Sequence, residues 1–201
     1  MPKSIVIPSS LNGKYLREAC EAKSEIVLLS GVNIGNLGSF VEYIHAHHKK
    51  AYIHIDITGG FRPDEVGIQL LKNMFHLDDV ISTNMHALTR ARALKLETIY
   101  RLFLFDSRSL ERAAGAMSDG QFSAIEILPS DYALSEYDKI RKYAGDTKLI
   151  AGGFIRSEKN ISDIFAAGFW GVTTSDRQLW QYGVNPVSYT HLRAHETDSY
   201  L

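Results

Sequence analysis

Two short stretches near the C-terminal end bring together residue types suited to holding an anion. Leu149-Ile150-Ala151-Gly152-Gly153-Phe154-Ile155-Arg156 is followed, one strand–helix unit later, by Gly171-Val172-Thr173-Thr174-Ser175. Each reads as an apolar strand running into a small, polar loop that opens a helix. Glycine lets backbone N–H groups come close to an anion, and the N-terminus of the following helix adds its positive dipole. In a parallel α/β barrel the loops after strands seven and eight form a recurrent phosphate cradle. Gly152, Gly153, Arg156, Thr174 and Ser175 are therefore the candidate phosphate ligands. Asp176 opposes this reading unless it points outward as an ordinary first-turn acid.

A second set sits inside apolar runs: His54, Asp56, Arg101 and Glu126. Charged groups in that setting are rarely buried unless paired. Alternation along an extended strand places His54 and Asp56 on the same side, both inward if either is. Two readings follow. Arg101 with Asp56 or Glu126 forms an inter-strand ion network that only orders the interior, or these groups hold the polar end of a small molecule. Asp106 and Ser157 each precede a helical stripe and read as N-caps. His45, His47 and His48, with Lys49 and Lys50, fall at a helix end where they complement the dipole. No Cys/His set of zinc spacing occurs elsewhere, and no metal or other cofactor is called for.

These residues need elements to position them. Eight strand-like runs, near 4–8, 25–30, 51–57, 79–83, 98–105, 122–128, 148–152 and 169–174, alternate with helical patterns. Their apolar density without clean alternation fits strands buried on both faces. Ile34, Leu37, Val41 and Ile44 form one helical stripe, Leu110, Ala113, Ala114 and Met117 another, and Ile161, Ile164 and Phe165 a third. Pro63 before Asp64 and Glu65 reads as a first helical turn, and Ser175 with Gln178 as a capping box. Strict strand–helix alternation repeated eight times predicts an α/β fold, a single (β/α)8 barrel of TIM type, with an open doubly wound sheet as the rival.

Composition narrows the partners. With 201 residues, 45% hydrophobic and 22% charged, the chain suits one packed domain. A formal net charge of −1 gives no electrostatic argument for a general nucleic-acid or membrane surface. The single cysteine, Cys20, excludes an internal disulfide and points to a reducing cytoplasm, where its setting beside Leu16 and Ala19 reads as a core thiol. No apolar run approaches the roughly 20 residues of a membrane span, and the start is not a signal peptide. From 187 to 201 all periodicity is lost. That segment reads as translated vector sequence, which leaves 1–183 as the barrel, demotes His191 and His195 as ligands, and implies a native C-terminus lost after Trp180.

Six motifs in register carry a resemblance. They are His54-Ile55-Asp56, Ile81-Ser82-Thr83, Tyr100-Arg101-Leu102-Phe103-Leu104-Phe105-Asp106-Ser107, Ile125-Glu126-Ile127-Leu128-Pro129, Ile150-Ala151-Gly152-Gly153-Phe154-Ile155-Arg156, and Val172-Thr173-Thr174-Ser175 with Leu179-Trp180. In this order, from about residue 5 to 182, the chain resembles the bacterial glycerol-3-phosphate-responsive antiterminator family. The resemblance implies a non-enzymatic barrel that takes glycerol 3-phosphate as effector and then acts on the leader mRNA of glycerol-utilisation genes, so that transcription passes a terminator. It places the phosphate at Gly152, Gly153, Arg156, Thr174 and Ser175. The glycerol end, facing His54, Asp56, Arg101 and Glu126, comes from barrel geometry instead. The chain departs from the family pattern at Asn84, at Ser130-Asp131-Tyr132 and at Asp176-Arg177.

RNA as a partner rests on the resemblance alone, since basic residues are scattered over Arg90, Arg92 and Lys95 on one helix and Arg108 and Arg112 on the next. The alternative function is a barrel enzyme acting on a small phosphorylated metabolite, isomerase-like or phosphodiesterase-like. There Asp56 or Glu126 is the base and His54 the acid, or Asp56, Glu126 and Asp106 hold a metal.

Overall fold

The computed structural model describes residues 4–119 and 121–182; the tail expected over 187–201 lies outside them. Eight parallel strands close into a barrel in sequence order: β1 (Ile5–Leu11), β2 (Ile26–Ser30), β3 (Lys50–His54), β4 (Asp79–Ser82), β5 (Glu97–Phe103), β6 (Ala124–Leu128), β7 (Lys148–Gly152) and β8 (Gly171–Thr174). Closure is the pairing of β8 with β1, which sets Ile5 beside Gly171 and Pro8 beside Thr174. The expected (β/α)8 barrel is what forms, and the open-sheet rival is excluded.

Helices α1 (Leu16–Glu21), α2 (Ile34–Ala46), α3 (Glu65–Asn73), α4 (Met85–Ala93), α5 (Ser107–Ser118), α6 (Ser130–Ser135), α7 (Tyr137–Ala144) and α8 (Glu158–Ala167) surround the sheet. Most of each stripe turns inward: Leu37, Val41 and Ile44 are buried, as are Leu110, Ala113, Met117, Ile161 and Ile164, whereas Ala114 and Phe165 are half-buried and Ile34, in the first turn of α2, is exposed. Polar side chains start α2, α3, α4, α5 and α8, accepting from otherwise orphaned N–H groups. Asp106 accepts from Ser109 N, and Ser157 from Asn160 N. Two expected starts move. Pro63 lies outside α3, whose cap is Asp64, and the turn after β8 is capped by Asp176 accepting from Gln178 N, not by Ser175.

Parity along each strand divides the barrel into two environments. Outward residues join the helices in the main core. Inward residues Ile7, Ile26, Leu28, Tyr52, Ile81, Ile99, Ala124 and Ile150 form a separate apolar plug in the barrel's middle. Two residues further along most of these strands the inward positions become polar, at Ser9, Ser30, His54, Arg101, Glu126 and Thr173. The plug floors a polar chamber that opens at the strands' C-terminal ends.

The third strand corrects one expectation. It ends at His54, and Ile55–Ile57 coil into a 3₁₀ turn, with Thr58 Oγ1 donating to the His54 carbonyl at 2.9 Å. Asp56 therefore does not share His54's inward face. It is exposed and accepts from Thr83 N at 2.7 Å and from the Ser82 hydroxyl. Asp56 ties the β3 loop to the end of β4. Asn84, one of the departures noted above, is the N-cap of α4 and accepts from His86 N and Ala87 N. His45 at the end of α2 pairs with Asp78 at 2.9 Å. Burial pushes the Cys20 thiol up to about 11, as suits a core position.

Candidate functional site

Glu126 is the centre of the polar chamber. It is 1% exposed, yet three side chains converge on it. Thr173 Oγ1 donates to Oε1 at 2.6 Å, His54 Nε2 lies 3.3 Å from Oε2, and Arg101 Nε lies 3.2 Å from the same oxygen. The Arg101 contact is an ion pair whose N–H is not aligned into a hydrogen bond. Burial pushes the Glu126 carboxyl up, but the charges of His54 and Arg101 and the bonds from His54 and Thr173 outweigh it, so its pKa falls below the ordinary value. Glu126 is thus an ionised, acceptor-only group. The alternation of its strand aims it inward, and Gly152 makes the room: a Cβ there would stand 2.7 Å from Thr173 Oγ1 and 2.9 Å from Glu126 Oε1.

The network continues through residues that the sequence reading did not single out. His54 bridges Glu126 and Ser30, with Nε2 facing Glu126 Oε2 and Nδ1 lying 2.9 Å from Ser30 Oγ. Ser30 in turn lies 3.1 Å from Ser9 Oγ. A hydrogen-bonded chain Ser9–Ser30–His54–Glu126 therefore lines one wall. Its signal was present in the sequence: Ser9 and Ser30 occupy in strands one and two the strand-end place that His54 occupies in strand three.

Above this layer lies an open cavity of about 530 Å³. Ser9, Ser30, His54, Arg101, Glu126 and Thr173 line its lower part, and Gly153, Phe154, Ile155, Arg156, Thr174, Ser175 and Asp176 its rim. The structure thus brings Gly153, Arg156, Thr174 and Ser175 to the same cavity as His54, Arg101 and Glu126. Gly152 sits beneath, shaping the wall, and Asp56 stands outside the lining.

The β7 loop owes its shape to two consecutive left-handed residues, Gly153 at φ 76 and Phe154 at φ 58. Glycine adopts this conformation freely, whereas a side chain with Cβ resists it. Among the described residues the N–H groups of Phe154 and Ile155 meet no acceptor, so this turn offers two donors at the cavity rim. Ser130, buried at the start of α6, donates its N–H to the Gly153 carbonyl at 3.3 Å and pins the loop from the β6 side. On the β8 side the Trp180 indole N–H donates to Thr174 O at 2.8 Å. Asp176 lines the cavity, but its carboxylate is engaged by Gln178 N. The terminal nitrogens of Arg101 make no hydrogen bond among the described residues, and Arg156 pairs with no carboxylate among them, so both guanidinium groups remain available to an anion.

The chamber therefore gathers hydroxyl, imidazole and Arg101 groups around the Glu126 carboxylate, with Arg156 and the free backbone donors of the β7 turn at its rim. Known proteins agree with the fold. The chain is 30% identical over 178 residues to the Escherichia coli K12 protein named "Uncharacterized protein YgcP", covering 87% of this chain and 91% of that one. A crystal structure of the glycerol uptake operon antiterminator regulatory protein from Listeria monocytogenes superposes with a TM-score of 0.79 at 27% identity, over 89% of this chain and 96% of that one. The glycerol uptake operon antiterminator-related protein of Thermotoga maritima shares the fold at TM-score 0.78 and 21% identity, over 88% and 98% of the two chains. A family model described as glycerol-3-phosphate responsive antiterminator matches residues 6–180, a span that reaches every strand of the barrel and both walls of its cavity, and the chain belongs to that family.

Proposed function

We propose that this protein is a non-enzymatic sensor that binds glycerol 3-phosphate in the barrel mouth and, once loaded, acts on the leader mRNA of glycerol-utilisation genes in the cytoplasm. The phosphate is held by the Phe154 and Ile155 N–H groups, Arg156, Thr174 and Ser175. The glycerol hydroxyls meet Ser9, Ser30, His54 and Arg101 over the Glu126 carboxylate. The observation that carries this reading is the meeting of a hydroxyl-matched floor and an anion-matched rim in one cavity of about 530 Å³. Membership of an antiterminator family supports the regulatory half. A sensor needs the effector to favour one state over another, and the left-handed β7 loop is the element that phosphate contact would hold.

Calorimetric titration tests the reading. Glycerol 3-phosphate should bind, plain glycerol should not at the same concentration, and Arg156→Ala should abolish the heat. Equal binding of both ligands would remove the phosphate cradle from the proposal. One observation favours a second reading, a barrel enzyme: Ser30, His54 and Glu126 form a hydrogen-bonded relay of nucleophile, base and carboxylate type. Turnover of glycerol 3-phosphate or a glycerophosphodiester, lost in Ser30→Ala, would establish that reading instead.

A further inference from the structure

A stack of flat groups leads out of the chamber. Arg101, paired to Glu126 at its inner end, lays its guanidinium 4.9 Å over the centre of the Phe103 ring. Phe103 in turn stacks on Phe105, with ring centres 6.2 Å apart and planes 13° from parallel. The outermost ring, Phe105, is 78% exposed, an unusual state for so large an apolar surface. Two further rings stand on the next loops of the mouth: Tyr132, 52% exposed, in the first turn of α6, and Phe154, 67% exposed, beneath the Arg156 guanidinium at 5.6 Å. Aromatic faces and arginine planes at one rim are the chemistry that recognises unstacked bases, with phosphates drawn to the cations. Of the carboxylates on these loops, Asp56 accepts from Thr83 N, Asp106 from Ser109 N and Asp176 from Gln178 N, while Asp131, beside Tyr132, is exposed and has no such partner among the described residues.

We propose that the barrel mouth is the RNA-contacting surface, and that an unpaired base of single-stranded RNA continues the Arg101–Phe103–Phe105 stack, with Tyr132 and Phe154 as neighbouring platforms. This rests on the transcript-acting reading above and adds where the transcript lies. It also gives effector and RNA a shared structural element at each side of the mouth. Arg101 belongs both to the chamber floor and to the base of the stack. Phe154 belongs both to the phosphate turn and to the exposed rim. Effector that fixes Arg101 and the β7 turn thereby fixes the platforms on which bases would rest. The outer faces of α4 and α5, with their scattered arginines, are not the site.

The test uses RNA selected from a random-sequence pool on the full chain in saturating glycerol 3-phosphate. Phe105→Ala and Tyr132→Ala should each weaken binding of that RNA about tenfold. Phe105→Trp should keep it, and the slope of affinity against salt should stay as in the wild type, because stacking releases no counterions. Met74→Ala, on an exposed apolar position at the far end of α3, should change nothing. A 4-thiouridine placed in the selected RNA should cross-link to the segment around Phe103 and Phe105. Wild-type affinity in both alanine variants, with cross-links on α4 or α5, would overturn the surface while leaving the transcript reading in place. Failure to select any RNA would remove both. Self-association of the wild type that disappears in Phe105→Ala would show the ring to cover a second copy of the chain, and the proposal would fall.

Discussion

Two buried carboxylates occupy opposite ends of one barrel interior and meet opposite fates. Glu126, at the mouth, is surrounded by His54, Arg101 and Thr173 and is held ionised. Asp79, at the first position of β4, is fully buried and neither of its oxygens has a hydrogen-bond partner among the described residues. Burial, reinforced by the negative charge of Glu97 and only partly offset by Lys50, pushes its pKa well above the ordinary value. The pH dependences have opposite signs. A carboxyl whose pKa falls on folding adds stability above its unfolded pKa and loses it as pH drops through the folded one; one whose pKa rises costs stability as pH climbs from the unfolded value toward the folded one. Asp79→Asn should therefore be more stable than the wild type in urea at pH 8, by on the order of 1 kcal/mol, with the advantage shrinking toward pH 4. An advantage independent of pH would show that Asp79 does not titrate abnormally. Glu126→Gln should behave the other way, losing on the order of 3 kcal/mol at pH 7 because it strands the Arg101 and His54 groups, and its deficit should narrow at low pH.

At the scale of elements, the site is a consequence of strand parity and strand length. Every inward residue one step above the apolar plug faces the chamber, so a single polar position per strand suffices to build its floor. That rule made His54, Arg101 and Glu126 legible in the sequence, and applied to the first two strands it would have found Ser9 and Ser30 as well. It failed at Asp56, because a 3₁₀ turn at Ile55–Ile57 breaks the alternation, and nothing in an Ile-Asp-Ile run distinguishes a strand end from a tight turn. Gly152 was legible as a special residue, but its reason was not. It is needed for the approach of Thr173 and Glu126 from two neighbouring strands, a contact that only register reveals. Gly152→Ala should thus cost about 1–3 kcal/mol of stability through overpacking and also weaken glycerol 3-phosphate, since the displaced groups are the chamber floor. Retained stability together with unchanged affinity would mean that the floor yields without consequence, and that Glu126 is not held as tightly as its contacts imply.

For the whole molecule, closure of β8 onto β1 brings the two ends of the barrel's chain together at the cavity, Ser9 from the first strand facing Thr173 to Asp176 from the last. Eight-fold alternation pointed to this closure from the sequence, but the same alternation also suits an open doubly wound sheet, and only the pairing of β8 with β1 decides between them. A ligand seated there touches residues separated by nearly the whole sequence, and its binding energy opposes opening of the barrel at its seam. Glycerol 3-phosphate at a hundredfold excess over its dissociation constant should therefore add about 2.7 kcal/mol to global stability. For a chain of this size that corresponds to a rise of roughly 5–10 °C in Tm, measurable by scanning calorimetry. Glycerol at the same concentration should give no comparable rise, and in Arg156→Ala the phosphate-dependent increment should vanish while the unliganded Tm stays near that of the wild type, since Arg156 is exposed and caps nothing. A rise that survives Arg156→Ala would place the phosphate elsewhere in the mouth, against Arg101, and would exchange the assigned orientation of the ligand end for end.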